Sequence, residues 1–245
     1  IVFPRSHCPN CRVTLKIRNL LPVLSYLAQG GRCSYCAIRI SPVYPLVELI
    51  TALSFFAVFL WGPSGFVPKL VGIILISTLI VITFIDIRFQ IIPDLITLPG
   101  VVTGLLIHGM IHVSRLAGWV DSPSLTGFTF WDSLLGALVG GAVLWVVAVV
   151  SEMMYGQVGM GGGDVKLAAL IGAFIGWKGV LRALLASFFL GALIGGFMMI
   201  IRVKKRRDYI PFGPFLALGS GVAFFYPIER IAVWYLNAVG GTLPI

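Results

Sequence analysis

Six stretches of this chain carry no Asp, Glu, Lys or Arg: Leu49 to Pro68, Leu70 to Ile85, Leu95 to Ser114, Ser133 to Ser151, Ala183 to Ile201 and Tyr209 to Ile228. A shorter apolar run, Leu167 to Trp177, lies between the fourth and the fifth. An α-helix rises about 1.5 Å per residue, so about 20 apolar residues cross the hydrocarbon core of a bilayer. The intervals predict six spans and a short seventh. Alternation at period 2 is absent, which argues against an outer-membrane barrel. With 58% hydrophobic and 11% charged residues among 245, a water-soluble domain, a disordered chain, collagen and a small disulfide scaffold are all excluded. The expected fold is an all-α polytopic membrane protein of about seven transmembrane helices. Glycines inside the spans, as in GALVGG and GALIGG, are read as helix-packing positions.

Orientation follows from Lys and Arg, which accumulate on the cytoplasmic side of a membrane. If the spans alternate and the first segment is cytoplasmic, the inside collects Arg5, Arg12, Lys16, Arg18, Arg32, Arg39, Arg88, Lys166, Arg202, Lys204, Lys205, Arg206 and Arg207. That is 13 of the 18 basic residues; Lys69, Arg115, Lys178, Arg182 and Arg230 fall outside. The net charge of +9 is thus read as topogenesis and contact with anionic lipid, not as nucleic-acid binding. The chain opens at Ile1 on a polar segment without a signal peptide, and a further helix is expected before it.

All four cysteines lie in that opening segment, as Cys8-Pro9-Asn10-Cys11 and Cys33-Ser34-Tyr35-Cys36. Two thiolates two residues apart on a tight turn can bite one tetrahedral metal, and a second such pair completes the shell. A structural zinc on Cys8, Cys11, Cys33 and Cys36 is the leading reading, with two disulfides or unliganded thiols as the rivals. Four thiolates would leave no open position for a catalytic water. His7 is read as a neighbour of the cluster and not as a ligand.

Only nine acids exist, so each one near a span needs a reason. Asp121, Asp132, Glu152 and Glu229 read as solvated loop or helix-end residues, and Asp208 balances the basic run before it. Glu48 is costly near its span unless it is paired or hydrated. Asp94, after Pro93, is an N-cap candidate. Asp86 closes fifteen residues with no ionisable group, and Asp164 ends Gly159-Met160-Gly161-Gly162-Gly163-Asp164 and opens an apolar helix. Both fall at cytoplasmic membrane depth in the derived topology. Two carboxyls meeting in a low-dielectric cleft can share a proton, one acting as base on water while the other protonates the leaving group. Gly161 and Gly163 are expected to shape the loop by allowing φ > 0 and the close approach of an extended peptide. Lys166 reads as a marker of the inner boundary. The break at Pro211-Phe212-Gly213-Pro214 is expected to free backbone groups that could pair with a substrate strand.

These residues resemble the type IV prepilin peptidases, bacterial inner-membrane aspartyl proteases with a GxGD motif. RSHCPNC, GRCSYC, ISPVYPLVE, IDIRFQIIPD, GMGGGDVKL and PFGPFLALG occur here in that family's order. The resemblance implies that Asp86, eight residues before the Asp of the PD pair, is the first catalytic aspartate and that Asp164 is the second. It implies a cytoplasmic zinc module over residues 1–45 and a transmembrane peptidase domain over 46–245. It further implies cleavage of the basic leader of prepilins or pseudopilins after a glycine, at the cytoplasmic face. Many members then methylate the new N-terminus with S-adenosylmethionine, and the family pattern places a transmembrane helix, the eighth, before Ile1. Charge complementarity makes Glu48, Asp94 and Asp208 candidates to receive a basic leader. A proton-coupled transporter, with buried acids near mid-membrane, is the alternative from another class.

Overall fold

A computed structural model of the chain describes residues 6–118, 129–156, 160–201 and 210–226. Its elements are a 3-10 turn (Ile17–Asn19) and seven helices: α1 (Leu24–Ala28), α2 (Val43–Trp61), α3 (Phe66–Phe89), α4 (Asp94–Leu116), α5 (Phe130–Tyr155), α6 (Gly162–Ile200) and α7 (Gly213–Phe225). Among the described residues extended pairing is limited to two isolated bridges, so the fold is all-α as the composition requires. Five helices, α2 to α6, are long and apolar enough to cross a membrane, and α7 is a shorter apolar helix. The chain forms two compact units, Ile1–Ala57 and Val58–Ile245. Asp121, Asp208 and Glu229 lie outside the described residues.

Five long helices where six spans and a short seventh were expected looks like a shortfall, and the shorter α7 together with a break in α6 accounts for it. The 39 residues of α6 contain one non-helical position, Gly176, with φ 70° and ψ 174°. Across that point the chain reverses. A Cβ added at Gly140 of α5 would touch the Ala168 carbonyl and would lie 2.9 Å from the Val180 side chain. In a continuous helix those two positions, twelve residues apart, would be separated by about 18 Å. α6 is therefore two arms, residues 162–175 and 177–200, folded back against each other on α5. The left-handed φ at the reversal is one that glycine adopts without a Cβ clash. The first arm takes in most of the short apolar run, which ends at Trp177 just past the reversal, and the second takes in nearly all of the fifth long interval.

The larger unit is built around these arms, which pack on α4, α5 and α7, while α7 also packs on α3. Lipid tails are as apolar as leucine, so close packing and hydrogen bonds, not hydrophobic transfer, must hold such helices together. Glycine supplies the closeness. A Cβ at Gly136 would overlap the Gly172 carbonyl, and one at Gly172 would overlap the Gly136 carbonyl, so the backbones of α5 and α6 touch. GALVGG is a packing motif, as expected. A Cβ at Gly104 of α4 would stand 3.0 Å from Ala173 and Phe174, and one at Gly219 of α7 would run into Ser187 and the Ala183 carbonyl. Ser133 adds a hydrogen bond between helices, donating from Oγ to the Ala173 carbonyl at 2.6 Å.

The helix ends sort into two layers. At one end, α5 starts in a capping box, with Asp132 N donating to Thr129 Oγ1 at 3.3 Å and Thr129 N donating to Asp132 Oδ2 at 2.9 Å. Trp177 Nε1, next to the α6 reversal, donates to Asp132 Oδ1 at 3.2 Å, and Arg182 Nη1 reaches the Tyr226 carbonyl at 3.1 Å. The reversal sends the chain back, so the end of α3, the start of α6 and the start of α7 meet at the opposite end.

The α5–α6 contact yields a paired prediction. Gly136→Ala forces a Cβ into a backbone carbonyl and is expected to cost about 1–3 kcal/mol, as overpacking does. Gly196→Ala, where a Cβ meets nothing within 4 Å, is expected to be neutral or slightly stabilising. Thermal unfolding of the two variants in detergent measures the difference.

Candidate active site and cysteine cluster

α3 buries one stripe, Val71, Leu75, Leu79 and Ile82, at helical spacing. The next position on that stripe is Asp86. Its carboxyl is thus carried into the core by the register that buries the leucines, and the residue is 2% exposed. The helix stops one turn later at Gln90, which takes a left-handed φ of 54° and returns its amide to the Asp86 carbonyl at 2.8 Å. Asp86 Oδ2 accepts a hydrogen bond from the backbone N–H of Gly213, at 3.1 Å, in the first residue of α7.

Asp164 approaches from α6. The N-cap of that helix is Gly161, which makes Asp164 the third helical residue and not the cap. It is 3% exposed, and its Oδ1 has no hydrogen-bond partner among the described residues. Oδ2 turns back toward Gly161, 3.6 Å from where a Cβ there would stand. Asp164 lies within electrostatic reach of Asp86. The two acids singled out in the sequence are therefore brought to the same end of the same unit, on three helix termini.

The glycines before Asp164 act differently from the expectation of φ > 0. Gly161 has φ −73° and ψ 146°, ordinary extended backbone, and neither Gly162 nor Gly163 has a positive φ. Space is the reason for Gly163. A Cβ there would stand 2.8 Å from the Cβ of Ile92, so the α3–α4 connection lies directly against the start of α6. Close approach holds, but the neighbour is this chain's own loop.

Asp94 is likewise not a cap. It is the first residue of α4, whose N-cap is Pro93, and its two carboxylate oxygens take Lys166 Nζ at 2.7 and 2.6 Å. Lys166 and Asp94 are 40% and 55% exposed, so the pair is a surface tie between α4 and α6, two residues beyond Asp164. Glu48 is paired as its position demanded, its Oε2 accepting from Val23 N at 2.7 Å. Two of the three acids considered as receivers of a basic leader are thus engaged within the protein, and Asp208 lies outside the described residues. The amide of Gly213, expected to be free for a substrate strand, is engaged by Asp86. Sequence reasoning missed these ties; the continuation of the Val71–Ile82 stripe to Asp86 was the available signal that its carboxyl faces protein.

In the smaller unit the two Cys pairs form duplicate knuckles. Cys8 N donates to Val13 O at 3.1 Å and Cys33 N to Ile38 O at 2.9 Å; Arg12 N returns to Cys8 O and Ala37 N to Cys33 O, both at 2.9 Å. Arg12 and Ala37 share a left-handed φ of 56° and 55°, and bridges join His7 to Thr14 and Arg32 to Arg39. The four Sγ atoms lie within 4.8 Å of one another, with Cys8 and Cys36 at 3.9 Å. A tetrahedral zinc with Zn–S bonds of about 2.3 Å separates its sulfurs by about 3.8 Å, so the donor set fits that ion. The backbone amide of Ile38, helped by the Asn10 side chain, holds the Cys36 thiol down at about 6. At Cys11 the Val13 amide favours the thiolate, but burial and the neighbouring thiols outweigh it and push the thiol up to about 11. His7 is exposed and outside the cluster, as expected.

Two family models match the chain: the type IV leader peptidase family over residues 73–196 and the bacterial peptidase A24 N-terminal domain over residues 1–61. Curated relatives named prepilin leader peptidase/N-methyltransferase include proteins of Aeromonas salmonicida (35% identical, covering 98% of this chain and 77% of the relative) and Pseudomonas putida (38%, covering 95% and 75%). The protein of that name from Bacillus subtilis is 35% identical, with 98% of this chain and 89% of the relative covered. No solved structure matches. The all-helical membrane fold, the clustered cysteines and these matches over nearly its whole length lead to one conclusion: the chain belongs to the type IV leader peptidase family.

Proposed function

We propose that this protein cleaves the basic leader of type IV prepilins or pseudopilins by aspartyl chemistry, with Asp86 and Asp164 as the catalytic pair. One observation carries the reading: two buried carboxyls, remote in sequence, lie within electrostatic reach of each other at one end of the helical unit, and Asp164 Oδ1 has no partner among the described residues. A buried carboxyl oxygen left unbonded is costly unless something else binds it. A water or a peptide carbonyl is the natural occupant.

In this mechanism one carboxylate removes a proton from water while the oxygen attacks the scissile carbonyl carbon. The other carboxyl gives its proton to the carbonyl oxygen, leaving a gem-diol. Collapse then breaks the C–N bond, the nitrogen taking a proton from the first carboxyl as a diol proton returns to the second, so the pair ends as it began. Gly163 keeps the α6 entry close to Ile92, and Gly161 lies beside the Asp164 carboxyl. The excess of basic residues assigned to the inner side orients the site toward the cytoplasm of a bacterial inner membrane.

Cys8, Cys11, Cys33 and Cys36 would hold a structural zinc, which supplies cross-linking of the two knuckles and no reaction step. The names of the relatives support a second activity, N-methylation of the new N-terminus with S-adenosylmethionine, carried out by this chain after cleavage. A proton-coupled transporter would place its acids near the middle of the membrane. Asp86 and Asp164 are instead in the last turn of α3 and the first turn of α6, which favours the peptidase.

Asp86→Asn and Asp164→Asn are each expected to lower cleavage of a leader-bearing pilin precursor by about 10²–10⁴-fold with metal content unchanged. Retained cleavage in both variants overturns the dyad. Metal analysis of the purified protein is expected to find one zinc per chain, reduced by Cys33→Ser; a metal-free protein with normal stability would refute the zinc module.

A further inference from the structure

The first turn of a helix has N–H groups without partners inside that helix, and each must be placed somewhere. In α7 they can be accounted for one by one. Phe215 N and Leu216 N both donate to the Phe212 carbonyl, at 3.0 and 3.1 Å. Pro214 has no N–H to give. That leaves the amide of Gly213, and it donates to Asp86 Oδ2 at 3.1 Å. The turn thus offers one uncommitted donor, and a catalytic-pair carboxyl takes it.

The approach also depends on the missing side chain. A Cβ at position 213 would stand 2.6 Å from Asp86 Oδ2 and 3.2 Å from its Cγ, whereas the Asp86 Cβ would be 3.4 Å away, an ordinary contact. The steric conflict is with the carboxyl group itself. The turn is anchored from its other side. The Phe212 ring stacks on Phe188 at a centroid distance of 5.4 Å and lies 6.3 Å from Phe215. Both rings lie over Gly191 of the second α6 arm, where a Cβ would stand in ordinary contact with Phe212 at 3.7 Å and Phe215 at 3.8 Å.

We propose that Gly213 is a positioning residue for Asp86: its amide commits Oδ2, its lack of a Cβ leaves the carboxyl room, and the Phe212 clamp fixes the amide in place. Oδ1 is then the oxygen that exchanges a proton with water or substrate. This rests on the peptidase reading for its kinetic consequence, but the contact between Gly213 and the Asp86 carboxyl stands apart from it.

The test uses the full chain in lipid nanodiscs, with cleavage of a leader-bearing pilin precursor as one readout and thermal unfolding as the other. Gly213→Ala is expected to lower kcat by about 10-fold or more while KM stays within about 2-fold. Gly221→Ala, on the same helix with open space at its Cβ, is expected to match wild type. In the stability arm, Gly213→Ala is expected to lower the unfolding midpoint in the wild-type background and not in Asp86→Ala, where the carboxyl it strikes is gone. An equal loss in both backgrounds, or an unchanged kcat in Gly213→Ala, overturns the proposal. Asp86→Asn is run alongside: full cleavage by that variant refutes the peptidase reading instead, and leaves the stability arm to decide the role of Gly213.

Discussion

Backbone contact between helices is the constraint on which the rest of this membrane unit depends. In lipid, burying a leucine between helices gains little that the acyl chains did not already provide, so the arms of α6 must be held by geometry. Gly136 against Gly172 brings two main chains together, and the hydrogen bond from Ser133 to the Ala173 carbonyl secures the same level. With α5 so close, the reversal at Gly176 returns the second arm beside the first.

The site inherits its character from helix termini. A carboxyl in the middle of a span would need a partner in the hydrocarbon. At a terminus, backbone groups left over from the helix supply one, as the Gly213 amide does for Asp86. Asp164 stands in the opening turn of α6 with one oxygen uncommitted. The chain thus places two expensive groups where the helical hydrogen-bond ladder is incomplete.

Much of this was legible in the residues. Charge-free runs located the helices because an apolar span tolerates few charges, and the Cys-x-x-Cys pairs announced their knuckles because that geometry is local. The acids stood out through rarity. The contacts that tie the site together were not legible: Gly213 to Asp86 joins residues 127 apart, and Lys166 to Asp94 residues 72 apart, with no periodic pattern to announce either. Gly163 was attributed to backbone freedom and room for a substrate strand when crowding by Ile92 is the cause, a distinction that only the packing of another segment can make. The turn at Gly176, by contrast, was legible, since the short run ending at Trp177 and the interval opening at Ala183 read as separate spans with Lys178 and Arg182 between them.

The Gly213 amide and the tie between Asp94 and Lys166 give Asp86 and Asp164 supports in different solvents. The Asp86 support is buried and works through a backbone amide, beyond the reach of dissolved ions. The other is an exposed ion pair, and at physiological ionic strength the Debye length is about 8 Å, so its strength falls as salt rises. Through Ile92 on Gly163 that pair borders the segment entering Asp164. One carboxyl is therefore insulated from the ionic composition around the protein, while the footing of the other is exposed to it.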